Sequence, residues 1–273
     1  MSAVLNAGGV SPKADFLRVA LLGNPNCGKT ALFNLLTGAR QKVANYAGVT
    51  VERKEGTMHT ASGRKVRVLD LPGAYSLHAH SLDEAITRDI VRGRRPGEPL
   101  PDLLVCVTDA THLRLNLRLV LEARALGLPM LLVLNMSDMA RRQGLQIDTA
   151  QLSALLGVPV VESVGVHQAG ARDLLAWLDS EAAHRLQPPV ADPRFPIEVG
   201  RNTREQLLAL HQQVAQIMQA TVQEPAQPTQ RDDRIDAVVL HPLWGTLLLL
   251  VTLFLMPETK GKPLDKVGQP ESD

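Results

Sequence analysis

The chain has 273 residues, of which 45% are hydrophobic, 21% are charged and 3% are aromatic, and its formal net charge is +1. This length and composition allow one or two domains with sizeable cores. The balanced charge and the scarcity of aromatic side chains argue against nucleic acid as the main partner. The two cysteines, Cys27 and Cys106, lie far apart and form neither a zinc-binding spacing nor a disulfide framework, which favours a reducing compartment.

From the N-terminus onward, a polar arm is followed by alternating strand-like and helix-like segments. Residues 1–16 lack the charged start and the apolar core of a signal peptide, so we interpret them as a flexible arm. Apolar and β-branched runs predict strands at 17–23, 49–59, 65–70, 102–109, 129–135 and 158–161. Helical periodicity predicts helices at 30–38, 81–91, 112–127, 148–157 and 171–183.

Local signals mark several boundaries of these elements. The pair Ser62-Gly63 is typical of a hairpin turn, and Ser81 with Glu84 has the spacing of a capping box. Strands that are apolar on both faces and separated by helices predict an α/β fold. We expect a mostly parallel six-stranded sheet flanked by helices, and we assign residues 17–186 to it.

Two proline-rich segments, 187–196 and 224–230, interrupt the pattern after this domain. Between them, four apolar residues recur at helical spacing, namely Leu207, Leu210, Val214 and Ile217. We therefore predict a small all-helical domain over residues 187–236.

An uncharged stretch runs from Ala237 to Met256. As a helix it would be about 30 Å long, roughly the thickness of the hydrocarbon core of a bilayer. His241-Pro242 interrupts it, so two interpretations stay open: an apolar helix buried in protein, or a membrane span that is whole or cut short. The polar tail at 257–273 contributes no span.

The segment 23-GNPNCGKT-30 fits the phosphate-binding pattern G-x-x-x-x-G-K-[ST], after a predicted strand and at the start of a predicted helix. Glycines let backbone N–H groups turn toward phosphate oxygens, and the helix N-terminus adds positive potential. We expect Lys29 to reach the β- and γ-phosphates and the Thr30 hydroxyl to bind Mg²⁺. The phosphate-loop residues so predicted are Gly23, Asn24, Pro25, Asn26, Cys27, Gly28, Lys29 and Thr30.

Three shorter motifs at predicted strand ends indicate that the base is guanine. In 70-DLPG-73, Asp70 can hold the Mg²⁺ shell through water, and the Gly73 N–H can meet a γ-phosphate. In 135-NMSD-138, the Asp138 carboxylate can accept from guanine N1 and N2, whereas adenine lacks these donors. In 162-ESVG-165, backbone N–H groups can meet guanine O6. The nucleotide-binding residues predicted here are Asp70, Leu71, Pro72, Gly73, Asn135, Met136, Asp138, Ser163, Val164 and Gly165.

In this order, the motifs resemble those of translation-factor-class GTPases and, more closely, the cytosolic part of the FeoB family of bacterial ferrous-iron transporters. The resemblance covers about residues 17 to 256 and is carried by 23-GNPNCGKTALFNLLTG-38, 45-NYAGVTVERKEG-56, 70-DLPGAYSL-77, 116-NLRLVLEARALGLPMLLVLNMSD-138 and 241-HP-242. It implies a P-loop GTPase that couples GTP hydrolysis to Fe²⁺ uptake through a membrane domain.

The resemblance also implies roles for a second loop. It places Thr50, together with Gly48 and Val49, in a mobile loop that closes on Mg²⁺ and the γ-phosphate. Asn26 resembles the asparagine that holds K⁺ in potassium-activated relatives, with carbonyl oxygens from residues 42–48, so we expect K⁺ stimulation. The implied catalytic residues are Asn26, Lys29, Thr50 and Gly73. The implied metal ligands are Thr30, Thr50 and Asp70 for Mg²⁺ and Asn26 for K⁺.

Further expectations from the resemblance concern domains and partners. Residues 187–236 correspond to a guanine-nucleotide dissociation inhibitor-like domain, and residues 237–256 to the truncated start of a first membrane span. The implied partners are GTP or GDP and the transporter's membrane domain, which is mostly absent from this chain, and a homo-oligomer stays open. The expected location is the cytoplasmic face of the bacterial inner membrane, with this fragment soluble or peripheral.

The sequence departs from the usual GTPase pattern at several positions. Ala74 stands where many GTPases carry a water-positioning glutamine, so we expect slow hydrolysis. Met136 replaces a lysine whose stem could pack on the base, and ESVG lacks the alanine usual in the fifth motif, so we expect weak base contacts and quick release. Two interpretations of Cys27 stay open: a small residue that fills space in the loop, or a redox-active thiol whose pKa is lowered by the helix N-terminus.

Alternatives from other classes stay open at this point. One is a soluble RNA- or ribosome-associated GTPase, which the near-neutral charge and the C-terminal apolar segment disfavour; another is a non-hydrolysing nucleotide-binding adaptor, suggested by Ala74. Glu52 with Glu55 could hold iron only if both faced one side of a strand, which their spacing disfavours. We interpret His78 and His80 as solvated loop residues and 92-RGRR-95 as a solvated helix end.

Overall fold

A computed structural model of the protein describes residues 16–38, 41–164, 168–189 and 204–224, together with residues 241 and 246. Several predicted features lie outside these ranges: the arm at 1–15, Gly165, segments 190–203 and 225–236 of the predicted helical domain, almost all of 237–256, and the tail at 257–273.

The described strands and helices alternate along the chain. The strands are β1 (Leu17–Gly23), β2 (Gln41–Asn45), β3 (Glu52–His59), β4 (Lys65–Asp70), β5 (Leu103–Asp109), β6 (Met130–Asn135), β7 (Gln146–Ile147), β8 (Val160–Glu162) and β9 (Val222–Gln223). The helices are α1 (Lys29–Thr37), α2 (Leu82–Val91), α3 (Leu113–Arg124), α4 (Ser137–Arg142), α5 (Thr149–Leu156), α6 (Arg172–Asp179), α7 (Glu181–Arg185) and α8 (Arg204–Thr221).

The main sheet is mostly parallel, which confirms the predicted fold class. Its strand order is β2-β3-β4-β1-β5-β6-β8, and β4, β1, β5, β6 and β8 pair in parallel while β2 and β3 are antiparallel. It has seven strands where six were expected. The additional strand, β2, lies where a loop was expected, and its residues carry no apolar alternation that would indicate a strand; in the structure four of the five are exposed. An edge strand of this kind forms because its backbone pairs with the neighbouring strand, here β3.

Alternate residues of the central strands face opposite sides of the sheet, as strand geometry requires. In β1, Ala20 and Leu22 belong to one core, whereas Val19 and Leu21 belong to the other. The first core is covered by α2, α3, α5 and α8, and the second by α1 and α6. Cys106 lies in the first core at 2% exposure, which agrees with its interpretation as a strand residue.

Helix α8 packs against the same core as the sheet. Its Leu210, Val214, Ile217 and Met218 join the first core, and the helix contacts α3 and α5. Strand β9 follows α8 directly and pairs with β7, and the described residues up to Glu224 belong to one compact unit. The domain boundary placed at residue 187 stays a prediction.

Helix boundaries differ from the predicted ones where local signals are weak. The predicted helix at 171–183 is divided at Ser180, whose backbone is extended, and α4 was not expected because its six residues carry no clear apolar stripe. Among the helices that the structure describes, none combines the length and the apolar composition needed to cross a membrane.

Candidate functional site

The loop between β1 and α1 forms a concave backbone turn. Asn26 and Gly28 both have positive φ, at 65° and 82°, and Gly28 is the N-cap of α1. Left-handed residues directly before a helix N-terminus turn backbone N–H groups toward one point, which is the arrangement that binds phosphate. The predicted phosphate loop therefore has the expected local geometry.

Two glycines of this loop are required by close contacts. A Cβ on Gly23 would lie 2.5 Å from the Val107 carbonyl oxygen, and a Cβ on Gly28 would lie 2.2 Å from Nδ2 of Asn135. The second contact matters for the loop, because the same Asn135 Nδ2 donates to the Cys27 carbonyl oxygen at 2.9 Å. The end of β6 thus holds the phosphate loop in place.

Met136 contributes to the same junction. It has a left-handed φ of 59° as the N-cap of α4, and its methyl group lies 3.4 Å from the position of a Cβ on Gly28. Methionine is flexible and fills irregular apolar gaps. The side chain therefore covers the phosphate loop from the side of β6, although it lacks the charge of the lysine common at this position.

A cleft of about 200 Å³ lies at the mouth of the phosphate loop. It is lined by Lys29, Thr30, Val51, Glu52, Lys54, Asp70, Leu71, Pro72, Gly73 and Asp83. Lys29 and Asp70 form an ion pair, with side chains only 8% and 5% exposed, and the Thr30 hydroxyl donates to the other Asp70 oxygen at 3.2 Å. The structure thus brings together three residues that the sequence analysis assigned to phosphate and Mg²⁺.

The donor set of this cleft fits magnesium. Mg²⁺ prefers oxygen ligands, and the Thr30 hydroxyl and the Asp70 carboxylate are both oxygen donors within hydrogen-bond distance of each other. Thr50, the third expected ligand, is exposed and is not among the residues that line the cleft, although its neighbour Val51 is.

Sequence reasoning missed three charged residues that line the cleft: Glu52, Lys54 and Asp83. Lys54 lies directly opposite Asp70 in the pairing of β3 with β4, and its ammonium group pairs with Glu52 at 3.0 Å. The sequence signal that could have placed Lys54 at the cleft is the hairpin turn at Ser62-Gly63. Counting residues outward from that turn along both strands aligns Lys54 with Asp70.

Residues 74–80, which follow Gly73, are held by buried hydrogen bonds; we name them the 74–80 segment. The Ala74 N–H donates to the Gly23 carbonyl at 3.2 Å, which connects the segment to the phosphate loop. Glu84 accepts from the N–H groups of Tyr75 at 3.1 Å and His80 at 2.9 Å. Burial alone would raise the pKa of the Glu84 carboxyl, but these N–H donors outweigh burial and hold the pKa below its ordinary value.

His78 departs from its prediction as a solvated loop residue. Its side chain is only 10% exposed, and Nδ1 lies 3.4 Å from a carboxylate oxygen of Glu122 and 3.2 Å from the Ser76 hydroxyl. The packing of the 74–80 segment onto α3 buries this ring, and no sequence pattern indicated that contact. The described ranges hold no group of three histidine, cysteine or acidic residues arranged to bind a metal.

The base-recognition residues are only partly arranged as expected. Asn135 is buried, while the Asp138 side chain is 34% exposed and lies 3.5 Å from Arg142. The expected N–H donors at the fifth motif are already bonded: Ser163 N–H donates to the Leu134 carbonyl at 2.8 Å and Val164 N–H to the Gly170 carbonyl at 3.0 Å. Both groups are therefore already bonded to backbone carbonyls and are not free to meet guanine O6.

The loop expected to supply K⁺ ligands also differs. Residues 42–45 belong to β2, so only Tyr46, Ala47 and Gly48 of that segment lie outside the strand. The Tyr46 carbonyl accepts from Val49 N–H at 3.1 Å, and the Ala47 carbonyl accepts from Arg95 at 2.7 Å. Arg95 therefore holds this loop, contrary to its interpretation as a solvated helix end.

Cys27 is buried at 1% exposure inside the phosphate loop. Burial raises the pKa of its thiol to about 11, and the nearby Lys29 offsets only part of that shift. The lowered pKa considered for a redox role is therefore wrong, and the filler interpretation is the one that fits.

Comparisons with known proteins agree with this geometry. The sequence model of the family described as "Ferrous iron transport protein B" matches residues 17–178. The chain is 44% identical over 190 residues to the Fe(2+) transporter FeoB of Salmonella typhimurium, covering 66% of this chain and 24% of that protein. It is 41% identical over 183 residues to an Fe(2+) transport protein A/FeoB fusion protein of Porphyromonas gingivalis, covering 66% and 21%. The chain thus spans about a quarter of the length of these relatives.

Solved structures are similar as well. The cytosolic domain of T. maritima FeoB in its GMPPNP form matches with a TM-score of 0.66 at 28% identity, over 77% of this chain and 100% of that one. The cytosolic domain of L. pneumophila FeoB matches with a TM-score of 0.64 at 28% identity, over 76% and 100%. The G domain of T. maritima FeoB is 39% identical, with a TM-score of 0.53, over 60% and 99%.

Proposed function

The chain belongs to the ferrous iron transport protein B family, and from that premise we propose that it is the GTP-binding and GTP-hydrolysing regulatory domain of a bacterial ferrous-iron transporter. The observation that carries this proposal is the meeting of Lys29, Thr30 and Asp70 at the mouth of the phosphate loop. A buried lysine paired with a carboxylate beside a helix N-terminus is the arrangement that a nucleotide phosphate and its Mg²⁺ use.

Nucleotide binding rearranges one ion pair in this proposal. Lys29 neutralises Asp70 in the present structure. A triphosphate brings several negative charges to the loop, so Lys29 leaves Asp70 for the β- and γ-phosphate oxygens. Thr30 and Asp70 would hold Mg²⁺, which would supply further positive charge at the phosphates. Thr50 joins them when its loop closes.

The base is selected by the segment after β6. The Asp138 carboxylate accepts from guanine N1 and N2, while Asn135 keeps the phosphate loop and the base site in fixed relation through its bond to the Cys27 carbonyl. Because the Ser163 and Val164 N–H groups are engaged, guanine O6 receives few donors from the fifth motif, and we expect quick release of GDP.

Hydrolysis proceeds without a glutamine side chain. Ala74 is fully buried and its N–H is bonded to Gly23, so this residue offers neither a side chain nor a free donor to water. The Gly73 N–H and Thr50 position the reacting groups, and Asn26 with loop carbonyls would hold K⁺, which would add positive charge. The carbonyls of Tyr46 and Ala47 already accept hydrogen bonds from Val49 and Arg95.

The wider setting of the domain rests on the same premise. Residues 187–236 act as a guanine-nucleotide dissociation inhibitor-like domain, and residues 237–256 begin the first membrane span. GTP hydrolysis is coupled to Fe²⁺ uptake through the membrane domain, at the cytoplasmic face of the inner membrane. Fractionation of the full-length protein tests this setting, because recovery with ribosomes would contradict it.

The direct test uses the 273-residue chain with fluorescent GTP, GDP and ATP analogues. We expect Mg²⁺-dependent binding of guanine nucleotides over ATP, and release of phosphate from GTP that is faster in K⁺ than in Na⁺. Lys29→Ala should abolish phosphate release, whereas Lys65→Ala, a matched change at an exposed lysine at the start of β4, should not alter it. Equal binding of ATP and GTP, or hydrolysis that survives Lys29→Ala, would contradict the proposal.

A further inference from the structure

Glu122 of α3 is a fully buried carboxylate, at 0% exposure. It accepts hydrogen bonds from the Leu77 N–H at 2.6 Å and from the Ser76 hydroxyl at 2.8 Å. Arg118, one turn earlier on α3, donates to it at 3.1 Å and supplies the balancing charge. His78 Nδ1 also lies 3.4 Å from one of its oxygens, so three of its partners belong to the 74–80 segment and one to its own helix.

A buried charge is costly unless every lone pair finds a donor, and such groups specify one arrangement of the chain more than they stabilise it. The donors of Glu122 are directional and charge-assisted, which makes them stronger than neutral hydrogen bonds. Replacing the carboxylate by a neutral group of the same shape thus loosens Ser76 and Leu77 without opening a cavity.

A short stretch of fixed backbone, from Leu77 back to Pro72, connects the Glu122 contacts to the phosphate cleft. Leu77 and Ala74 are both fully buried, so the chain between them has little freedom. Ala74 donates to the Gly23 carbonyl, and the Pro72 carbonyl accepts from Thr87 at 2.9 Å. Gly73, the expected γ-phosphate donor, lies between these two fixed residues.

We propose that Glu122 is a positioning residue for GTP hydrolysis: by fixing Ser76 and Leu77 on α3, it sets where the Gly73 N–H stands at the phosphate cleft. This inference rests on the proposed function. Catalysis by backbone donors depends on their placement before the reaction, and a displacement of about 1 Å can lower a rate about 100-fold. GDP lacks the γ-phosphate, so its binding does not depend on Gly73.

The test compares Glu122→Gln with wild type in steady-state and single-turnover GTP hydrolysis and in release of a fluorescent GDP analogue. We expect kcat to fall about tenfold, with KM for GTP and the GDP release rate changed less than about twofold, because the lost interaction acts in the transition state. Ser76→Ala removes one donor from the other side of the contact and should lower kcat about threefold. The double variant should be no slower than Glu122→Gln alone, since both changes break one contact.

Glu55→Gln is the matched control, because Glu55 is also an ion-paired acid with a largely covered side chain, 18% exposed, but lies on β3 beside Arg53 and Arg67. It should leave kcat unchanged. A Glu122→Gln protein that is folded and keeps wild-type kcat would overturn the inference, as would equal losses in GTP hydrolysis and GDP binding. If Glu122→Gln does not fold, Ser76→Ala decides: a lower kcat supports the inference and an unchanged one overturns it. Failure of wild type itself to hydrolyse GTP would instead refute the proposed function.

Discussion

Gly28→Ala tests whether the phosphate loop and the end of β6 form one packed unit. The change acts in two ways: it places a side chain at φ 82°, and it sets a Cβ 2.2 Å from the Asn135 amide that bonds the Cys27 carbonyl. The positive φ costs roughly 1–2 kcal/mol of unfolding free energy, and this cost is partly offset because alanine leaves the unfolded chain less conformational freedom than glycine does. The second leaves a buried carbonyl unpaired, which costs about 1–3 kcal/mol. We expect the free energy of unfolding to fall by about 2–4 kcal/mol.

Gly63→Ala provides the matched control for backbone strain. Gly63 has a similar φ of 87°, but a Cβ there meets nothing within 4 Å. It should cost only the conformational part, about 1 kcal/mol. Urea unfolding of the nucleotide-free proteins, followed by circular dichroism, measures both values. Equal losses of unfolding free energy in the two variants would show that the Asn135 side chain does not pack closely against Gly28. That result would refute the packing of the phosphate loop against the end of β6.

Three other predictions follow from buried groups and caps. Because burial raises the pKa of the Cys27 thiol to about 11, this thiol stays protonated at neutral pH, and mass spectrometry should show far slower alkylation by iodoacetamide than for an unfolded control; equal rates would contradict its burial. The Tyr46 hydroxyl is buried and lacks a hydrogen-bond partner among the described residues, so Tyr46→Phe should leave the free energy of unfolding unchanged or raise it by about 1 kcal/mol; a clear loss in urea unfolding would contradict this. Ser81→Ala removes the cap that accepts from Glu84 N–H at 3.2 Å and should lower that free energy by about 1 kcal/mol, whereas no change in thermal unfolding would argue against the cap.

The parts of this molecule that could be predicted from sequence are those with local signals. The phosphate loop is a contiguous pattern between a strand and a helix, so its glycines and Lys29 were identified together. The cap at Ser81 needed only the spacing to Glu84. The parallel sheet followed from apolar runs separated by helices, as β1 and β5 illustrate.

The remaining features depend on contacts between distant segments. Strand β2 exists through pairing with β3, and its own residues carry no strand pattern. Glu122 gives no sequence signal, because an acid on an amphipathic helix ordinarily faces solvent, and only the packing of Ser76 and Leu77 onto α3 buries it. Likewise, the Val164 N–H bonds the carbonyl of Gly170, a residue outside the motif, so the motif alone does not reveal this bond.

Nucleotide selection by Asp138 decides whether the guanine base lies at the end of β6. Wild type and Asp138→Asn are titrated with fluorescent analogues of GTP and of xanthosine triphosphate, whose base offers the acceptor that the asparagine amide can meet. The account predicts that the variant loses at least about tenfold in affinity for GTP and gains affinity for the xanthine nucleotide. Unchanged GTP affinity in the variant, with no gain for xanthine, would show that the base lies elsewhere and would contradict the account.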